Sequence, residues 1–207
     1  MSMLTTWGYT LPTLSTLQDM LTVSDFNKYT NSKYSGDPRV QPDITAASMA
    51  IRNYCGWHVY PSAPCVMETT FHDRRVTRVG DSLIIQLPAS YVTDVSSVIL
   101  YDADYEAFIF EPNGIVKVYG VHGTMKEWSK VIVEYTAGLP DGLMGSIQEL
   151  IAHRVTHALA SSNGVQSETA GGVSITYSAN WTNSARATAL ADDNKEVLAP
   201  YRIKGVF

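Results

Sequence analysis

The sequence predicts an α+β protein: a helical bundle, made of N-terminal helices plus two C-terminal helices, with an inserted antiparallel β module. Apolar residues recur at helical spacing near both ends of the chain. Between Cys65 and Tyr135 the period changes to two, and β-branched and aromatic residues dominate. No helical pattern interrupts this segment, so we expect its strands to pair with one another as antiparallel neighbours.

The first element is a helical segment within residues 13–30, where leucine and methionine recur at helical spacing. The next helix is better marked, because Pro42 and Asp43 open it and Asp43 is a suitable N-cap. Gly56 is expected to end this helix, since glycine adopts the left-handed conformation that closes helices.

The β segment contains short runs that read as strands. The strongest hairpin signal in the chain is Asn113-Gly114, which lies between two of them. The predicted strands are CVMETTF, RRVTRV, SLIIQL, VSSVILYD, AFIFE, GIVKVYG and KVIVEY.

Two helices are expected after the β segment, one from Leu143 to Asn163 and an alanine-rich one from Thr182 to Ala199, which Pro200 ends. The predicted organisation is therefore an N-terminal helical part, an inserted β module and C-terminal helices that fold as one unit with the N-terminal part. The boundaries of these three parts are 1–60, 61–136 and 137–207.

A short strand-like run with no evident local partner lies between these helices, within residues 165–179. One interpretation is an ordinary strand added to the sheet of its own chain. The other is an arm that pairs with a neighbouring subunit through its unpaired backbone groups. Two glycines favour bending and an alternating apolar face favours pairing; these residues are Gly171, Gly172, Val173, Ile175 and Tyr177.

Composition excludes several classes of protein. Twenty acidic and fifteen basic residues give a net charge of −5, which disfavours tight, non-specific binding to nucleic acid. No apolar stretch is long enough to span a membrane, and the N-terminus lacks the basic and apolar regions of a signal peptide. Cys55 and Cys65 can be free and packed or joined in a disulfide.

No catalytic motif emerges from the sequence. GxSxG, GxxxxGK[ST] and GxGxxG are all missing. His153 and His157 share a helix face at a spacing that can hold a metal, but Arg154 stands where a zinc protease needs glutamate. We therefore predict two solvated histidines, no enzymatic activity, no cofactor and no metal.

Two charged clusters remain. Asp102, Asp104, Glu106 and Glu111 form an acidic turn region, which is either solvated or a weak calcium site. The arginines at 74, 75 and 78 form the one local basic cluster of the sequence, which either contacts phosphate or an acidic partner or is solvated.

Several motifs, taken in order, resemble one family. YCGWHVYP closes a helix, VEYTAGLP closes the β module, VQSETAGGVSITYS follows the next helix, and LAPYRI lies near residue 200. This set resembles the head-tail connector, or head-to-tail adaptor, proteins of long-tailed (siphovirus-type) bacteriophages, especially actinobacteriophages. The resemblance implies a virion protein of the phage neck, assembled in the bacterial host cytoplasm.

Partners follow from the resemblance. It implies a homo-oligomeric ring, commonly a dodecamer, that binds beneath the portal protein, extends the DNA channel and joins the DNA-filled head to the next neck or tail component. Double-stranded DNA would pass without specific binding, with Asp102, Asp104 and Glu106 as candidates to face the channel. The segment from Pro200 would dock on the portal or, alternatively, fold back on its own bundle; its candidate portal-binding residues are Tyr201, Arg202, Ile203, Lys204 and Phe207.

Two other functions stay open at the sequence level. One is another phage neck or tail structural protein, such as a tail terminator or head-closure protein. The other is a hydrolase, which would gather His153, His157 and an acidic residue in one pocket.

Overall fold

Alternating apolar residues form the strands that the sequence predicts between Cys65 and Tyr135, and further strands precede them. The computed structural model describes residues 3–4, 8–13, 16–122, 129–161, 167–170, 173–176 and 192–203. Its first ten strands, in chain order, are β1 (Met3–Leu4), β2 (Thr10–Leu11), β3 (Ala63–Thr70), β4 (Val76–Val79), β5 (Ser82–Gln86), β6 (Val92–Leu100), β7 (Ala103–Asp104), β8 (Phe108–Glu111), β9 (Ile115–Tyr119) and β10 (Lys130–Ala137).

These strands form two antiparallel sheets. The larger sheet has the order β1-β2-β3-β10-β6-β7, and the smaller has the order β4-β5-β9-β8. In β3 and β10 every second side chain is buried, and the register places Cys65 opposite Tyr135 and Met67 opposite Val133. One face of each strand therefore forms the apolar core, as the period of two requires.

The predicted hairpin at Asn113-Gly114 is confirmed. Glu111 of β8 pairs with Ile115 of β9, so the loop has three residues and Gly114 closes it with φ +87°. A Cβ atom on Gly114 would lie 2.3 Å from the carbonyl oxygen of Ala89, so this turn requires glycine.

Four α-helices, one further hairpin and two short 3-10 helices, Asp141–Leu143 and Ala199–Tyr201, make up the rest of the described structure. Thr22 caps the first helix, because its side chain accepts a hydrogen bond from the backbone N–H of Asp25. The elements are α1 (Val23–Tyr29), α2 (Val40–Cys55), α3 (Gly145–Ser161), β11 (Ser167–Ala170), β12 (Val173–Thr176) and α4 (Asp192–Leu198).

The chain divides into two compact units. The first contains the described residues within Met1–Gln18, Cys55–Asp141 and Tyr201–Phe207, and holds both large sheets. The second contains those within Asp19–Tyr54 and Gly142–Pro200, and holds most of the helical residues. The predicted division into 1–60, 61–136 and 137–207, with the first and last parts folding as one unit, stays a prediction.

The predicted fold class, a helical bundle with an inserted β module, is wrong. In the part of the chain that the structure describes, strands contain more residues than helices, and two antiparallel sheets dominate. Helix α1 has seven residues, or about 10 Å, which is too short for the long packed helices of a bundle. The N-terminal segment also contributes β1 and β2 to the larger sheet instead of extending a helix.

Local chemistry explains why the residues before Val23 are not helical. The backbone of Met20 is held by side chains: its N–H donates to Ser48 Oγ at 3.1 Å, and its carbonyl accepts from Gln148 Nε2 at 3.3 Å. Met20 and Leu21 are buried there without forming a helical turn. Helix α2 begins at Val40, three residues before the predicted cap, and its first turn tolerates Pro42 because the N–H groups there have no helical partner.

The other predicted helices can be compared with the structure only where their residues are described. Gly56 follows α2 with φ +78°, which confirms the predicted stop. Helix α3 occupies most of the range expected for the first C-terminal helix. Of the range 182–199, residues 182–191 lie outside the described residues.

Candidate functional site

Three of the signature segments of the sequence meet at one buried place in the first unit. These are the segment that follows α2, the end of β10 with its turn, and the residues after Pro200. We call the contacts of His58 with Tyr9, Pro61 and Ala137 the His58 network. We call the contacts of Tyr201 and Ile203 with Cys55 and Trp57 the tail anchor.

The His58 network pairs every polar atom of a fully buried imidazole. The Nε2 atom of His58 lies 3.0 Å from the carbonyl oxygen of Pro61 and 3.1 Å from that of Ala137. Because carbonyl oxygens only accept, Nε2 carries the proton. Nδ1 then accepts from the Tyr9 hydroxyl at 2.7 Å, whose oxygen accepts the His58 backbone N–H at 3.0 Å. A neutral imidazole therefore satisfies all these groups.

The turn after β10 packs directly on the segment that follows α2. The N–H of Leu139 donates to the carbonyl of Val59 at 2.8 Å. Gly138 has φ +125°, and a Cβ atom there would lie 2.3 Å from the carbonyl oxygen of Pro61 and 2.6 Å from Ser62 Cα. Any side chain at residue 138 would have to displace backbone, so glycine is required at this contact.

The tail anchor holds the chain after Pro200 against the end of α2. The indole N–H of Trp57 donates to the carbonyl of Tyr201 at 2.6 Å, and the N–H of Ile203 donates to the carbonyl of Cys55 at 3.0 Å. The second bond satisfies a carbonyl at a helix C-terminus, where the helix itself supplies no partner. Trp57 and Ile203 are buried, so the anchor also contributes apolar burial.

The residues predicted to bind the portal fall in different environments. Tyr201 is half-buried, Ile203 is buried and the side chain of Arg202 is exposed. Burial raises the pKa of the nearby Cys55 thiol to about 12, and the charge of Arg202 acts in the opposite direction. Lys204 and Phe207 lie outside the described residues. Up to Ile203 the chain is therefore packed on its own first unit.

The acidic turn lies at the hairpin between β6 and β7. Leu100 pairs with Ala103, and the two loop residues, Tyr101 and Asp102, both have positive φ, as a type I′ turn requires. Asp104 accepts a hydrogen bond from Ser97 Oγ at 3.0 Å. The three residues predicted to face a channel, Asp102, Asp104 and Glu106, are all exposed.

The strand-like run after α3 has a local partner, so the expectation that it lacks one is wrong. Strand β12 pairs with β11 in an antiparallel hairpin, with Ala170 opposite Val173 and Ser167 opposite Thr176. Gly171-Gly172 connects the two strands in the sequence. This dipeptide is a hairpin signal, although we expected it only to favour bending. Gly171, Gly172 and Tyr177 lie outside the described residues. The role of this hairpin as an intersubunit arm stays a prediction.

The basic cluster is divided between different contacts. Arg75 forms a bidentate pair with Asp73, at 2.7 Å between Nη2 and Oδ2 and 2.9 Å between Nε and Oδ1. Arg78 donates to the carbonyls of Gly80 and Val121. Arg74 is exposed.

The remaining candidates are the two histidines of α3 and the two cysteines. His153 and His157 are both exposed on α3. Within the described part of the chain, no group of three or more metal-ligating side chains could hold an ion.

Cys55 and Cys65 are free and buried, so the disulfide alternative is wrong. A search of the described residues for a helix long and apolar enough to cross a membrane finds none.

Sequence reasoning missed the roles of Tyr9 and His58. The signal available was a run of aromatic residues between the glycine that ends α2 and Pro61. That run was recognised as a motif, but Tyr9 lies 49 residues earlier, and nothing in its neighbourhood points to His58.

Comparison with known proteins identifies a matching family. The family model described as "Head completion protein" matches residues 19–203, which cover most of the sequence and all three segments that meet at the tail anchor and the His58 network. A search of curated proteins found no match. The match confirms the resemblance to phage neck proteins that the motifs predict, and the chain belongs to the Head completion protein family, a family of phage head-to-tail structural proteins.

Proposed function

We propose that the protein is the head-to-tail adaptor of a long-tailed, siphovirus-type phage of actinobacteria. In this proposal twelve copies form a ring below the portal in the neck, extend the DNA channel and join the DNA-filled head to the tail. Membership of the Head completion protein family is the observation that carries it. The family already implies a virion protein that contacts other head or neck components.

The tail anchor supports docking on the portal. It fixes Tyr201 and Ile203 at the end of α2, so the residues that follow start from a defined point. Arg202 is exposed beside this point, and its guanidinium is suited to bidentate pairing with an acidic portal side chain. Lys204 and Phe207 would contribute a second cation and an apolar contact. Tyr201 and Ile203 would then act by positioning the docking segment.

The acidic turn supports a channel wall that does not grip DNA. Asp102, Asp104 and Glu106 are exposed, and carboxylates repel the phosphate backbone. The hairpin of β11 and β12 would tie neighbouring subunits together through Gly171, Gly172, Val173, Ile175 and Tyr177. Its strands should then exchange amide hydrogens faster in a monomer than in a ring.

A phage that lacks this gene tests the adaptor function. DNA-filled heads and complete tails should accumulate separately, and the purified protein should restore joining. Images of joined particles should show the protein as a ring directly below the portal. Joining without the protein would contradict the proposal, and density at the tail end of the joint would favour a tail terminator instead.

Two variants test docking through the segment after the anchor. Deleting residues 204–207 and making Arg202→Glu should each leave a folded ring that joins heads at least tenfold less often. Lys33→Glu, at an exposed position of the second unit, is the matched control and should join normally. Normal joining by both test variants would show that this segment does not bind the portal.

A further inference from the structure

Charge is segregated along the β segment. Arg74, Arg75 and Arg78 lie within five residues, and no lysine or arginine then occurs until Lys117. Six acidic residues occupy this cation-free stretch: Asp81, Asp94, Asp102, Asp104, Glu106 and Glu111.

The sheet topology places the arginines at one edge of the smaller sheet and Glu106 and Glu111 at the other, while Asp81 lies in the turn that joins β4 to β5. Strands β4 and β8 are the two edges of the smaller sheet, with two strands between them, so they lie about 14 Å apart. Arg74 lies two residues before β4 and Arg78 lies on it, and both are exposed. We call this side the basic edge. Exposed Glu106 lies two residues before β8 and two residues after Asp104, which is on β7, an edge strand of the larger sheet. We call this side the acidic edge.

The sheet face between these edges carries three exposed apolar side chains among its polar ones. The register places Val79, Tyr119 and Ile109 on one face, where their side chains are 58%, 44% and 50% exposed. The opposite face is buried through residues such as Leu83 and Val118. The solvent face of an antiparallel sheet is normally polar, and exposed apolar patches mark interaction sites.

The charged groups on this face neutralise each other. Lys117 Nζ lies 2.8 Å from Glu111 Oε1, and both side chains are partly exposed. The pair therefore adds little net charge to the patch. Each edge also has one exposed apolar residue beside its charged residues: Val79 on the basic edge and Ile109 on the acidic edge.

We propose that the basic edge of one copy of this chain binds the acidic edge of the next copy. Arg74 would face Glu106 of its neighbour, and Val79 would pack near Ile109. The occupant is a second copy because one chain carries both halves of the complementary pair. A contact between two different surfaces repeats head to tail and closes into a ring when the rotation allows.

This inference rests on the proposed ring and assigns one of its contacts. Glu106 then belongs to the subunit boundary, and Asp102 and Asp104 remain for the channel wall. The hairpin of β11 and β12 would be a separate contact between subunits.

A charge swap tests the contact. Arg74→Glu and Glu106→Arg each place like charges at every boundary, so each should weaken self-association of the full chain at least tenfold. The double variant restores unlike charges at every boundary and should recover most of the loss. Glu149→Arg, an exposed reversal on α3, is the control and should associate normally. Sedimentation velocity over a range of concentrations measures association, and circular dichroism verifies that each variant is folded.

The outcomes separate this contact from the adaptor function. Normal association of both single variants, failure of the double variant to recover, or a wild-type chain that stays monomeric would overturn the contact. None of these results would affect the adaptor function if the wild-type protein still joins heads to tails. If either reversal unfolds the chain, Arg74→Ala and Glu106→Ala remove the attraction without repulsion. Those variants should each weaken association by a smaller factor, and unchanged association would overturn the contact.

Discussion

The His58 network and the two charged edges place polar groups in opposite environments within one unit. In the network a fully buried imidazole, a phenol and two carbonyls are paired at 2.7–3.1 Å. At the edges Arg74 and Glu106 are exposed to solvent. A buried polar group costs about 1–3 kcal/mol when it loses its partner, whereas an exposed charge contributes little to stability.

This difference separates the buried residues that hold the fold from the exposed residues that we propose for assembly. Three of the four motifs that indicate the family, YCGWHVYP, VEYTAGLP and LAPYRI, contain residues of the His58 network or the tail anchor. The proposed assembly surfaces lie where substitution leaves the fold intact. Substitutions should therefore separate into those that lower the free energy of unfolding and those that affect assembly alone.

Gly138→Ala should have the largest effect. The new Cβ atom would meet the backbone of Pro61 and Ser62 at a φ of +125°, so we expect a loss of about 3 kcal/mol or more in the free energy of unfolding. Urea denaturation measures the loss. Gly142→Ala is the control, because no atom lies within 4 Å of its added Cβ. Equal stability of the two variants would mean that the turn can move away from Pro61.

Tyr9→Phe should rank second. It removes only the hydroxyl that joins the backbone N–H and Nδ1 of His58, and both groups are buried. We expect a loss of about 1–3 kcal/mol in the free energy of unfolding. Tyr119→Phe changes the same group on the exposed face of β9 and should cost less than about 0.5 kcal/mol. Similar losses at both tyrosines would contradict the role assigned to the network.

Asp73→Asn tests a half-buried ion pair, and its effect on the free energy of unfolding should rank after that of Tyr9→Phe. The hydrogen bonds from Arg75 hold the pKa of the Asp73 carboxyl well below its usual value, and the bond from Thr69 acts in the same direction. A pKa that is lowered in the folded state adds stability above the unfolded value of about 3.9, and this stability is lost as pH falls through the folded pKa.

The variant should therefore lose about 1–2 kcal/mol at pH 7. The gap between wild type and variant should narrow as the pH falls below about 4. Urea denaturation at pH 7 and at pH 3 gives both values. A gap of constant size across this range would show that packing around Asp73, rather than its charge, explains the loss.

Asp102→Asn should have the smallest effect. Asp102 is an exposed loop residue with φ +62°, and asparagine adopts this conformation readily. We expect a change of less than about 0.5 kcal/mol in the free energy of unfolding, measured by thermal or urea denaturation. A loss above about 1 kcal/mol would mean that the acidic turn supports the fold, which would weaken its assignment to a channel wall.

Local patterns were sufficient for most of the β segment. Alternation in CVMETTF and KVIVEY predicts β3 and β10, and Asn113-Gly114 predicts the hairpin between β8 and β9. Gly56 likewise marks the end of α2. Each of these features depends on residues that are close in the sequence, where side-chain period and allowed φ values act directly.

The candidate site was predictable only in part. The strings YCGWHVYP, VEYTAGLP and LAPYRI stood out as motifs and indicated the family, which the family match confirms. Their convergence was not predictable, since Trp57 and Tyr201 are separated by 144 residues and Tyr9 and His58 by 49. Hydrogen bonds over such distances depend on the whole fold.

By itself the sequence determined most strands of the β segment and their main turns, because period and turn chemistry are local properties, and its motifs indicated the phage family. Only the tertiary structure decided that two antiparallel sheets dominate the described residues, that β1 and β2 extend the larger sheet, and that β12 pairs with β11. It also decided that the arginine cluster and Glu106 lie at opposite edges of the smaller sheet. The physical reason is that strand partners are selected by burial and backbone hydrogen bonding over the whole molecule, and a local pattern of residues carries no record of that selection.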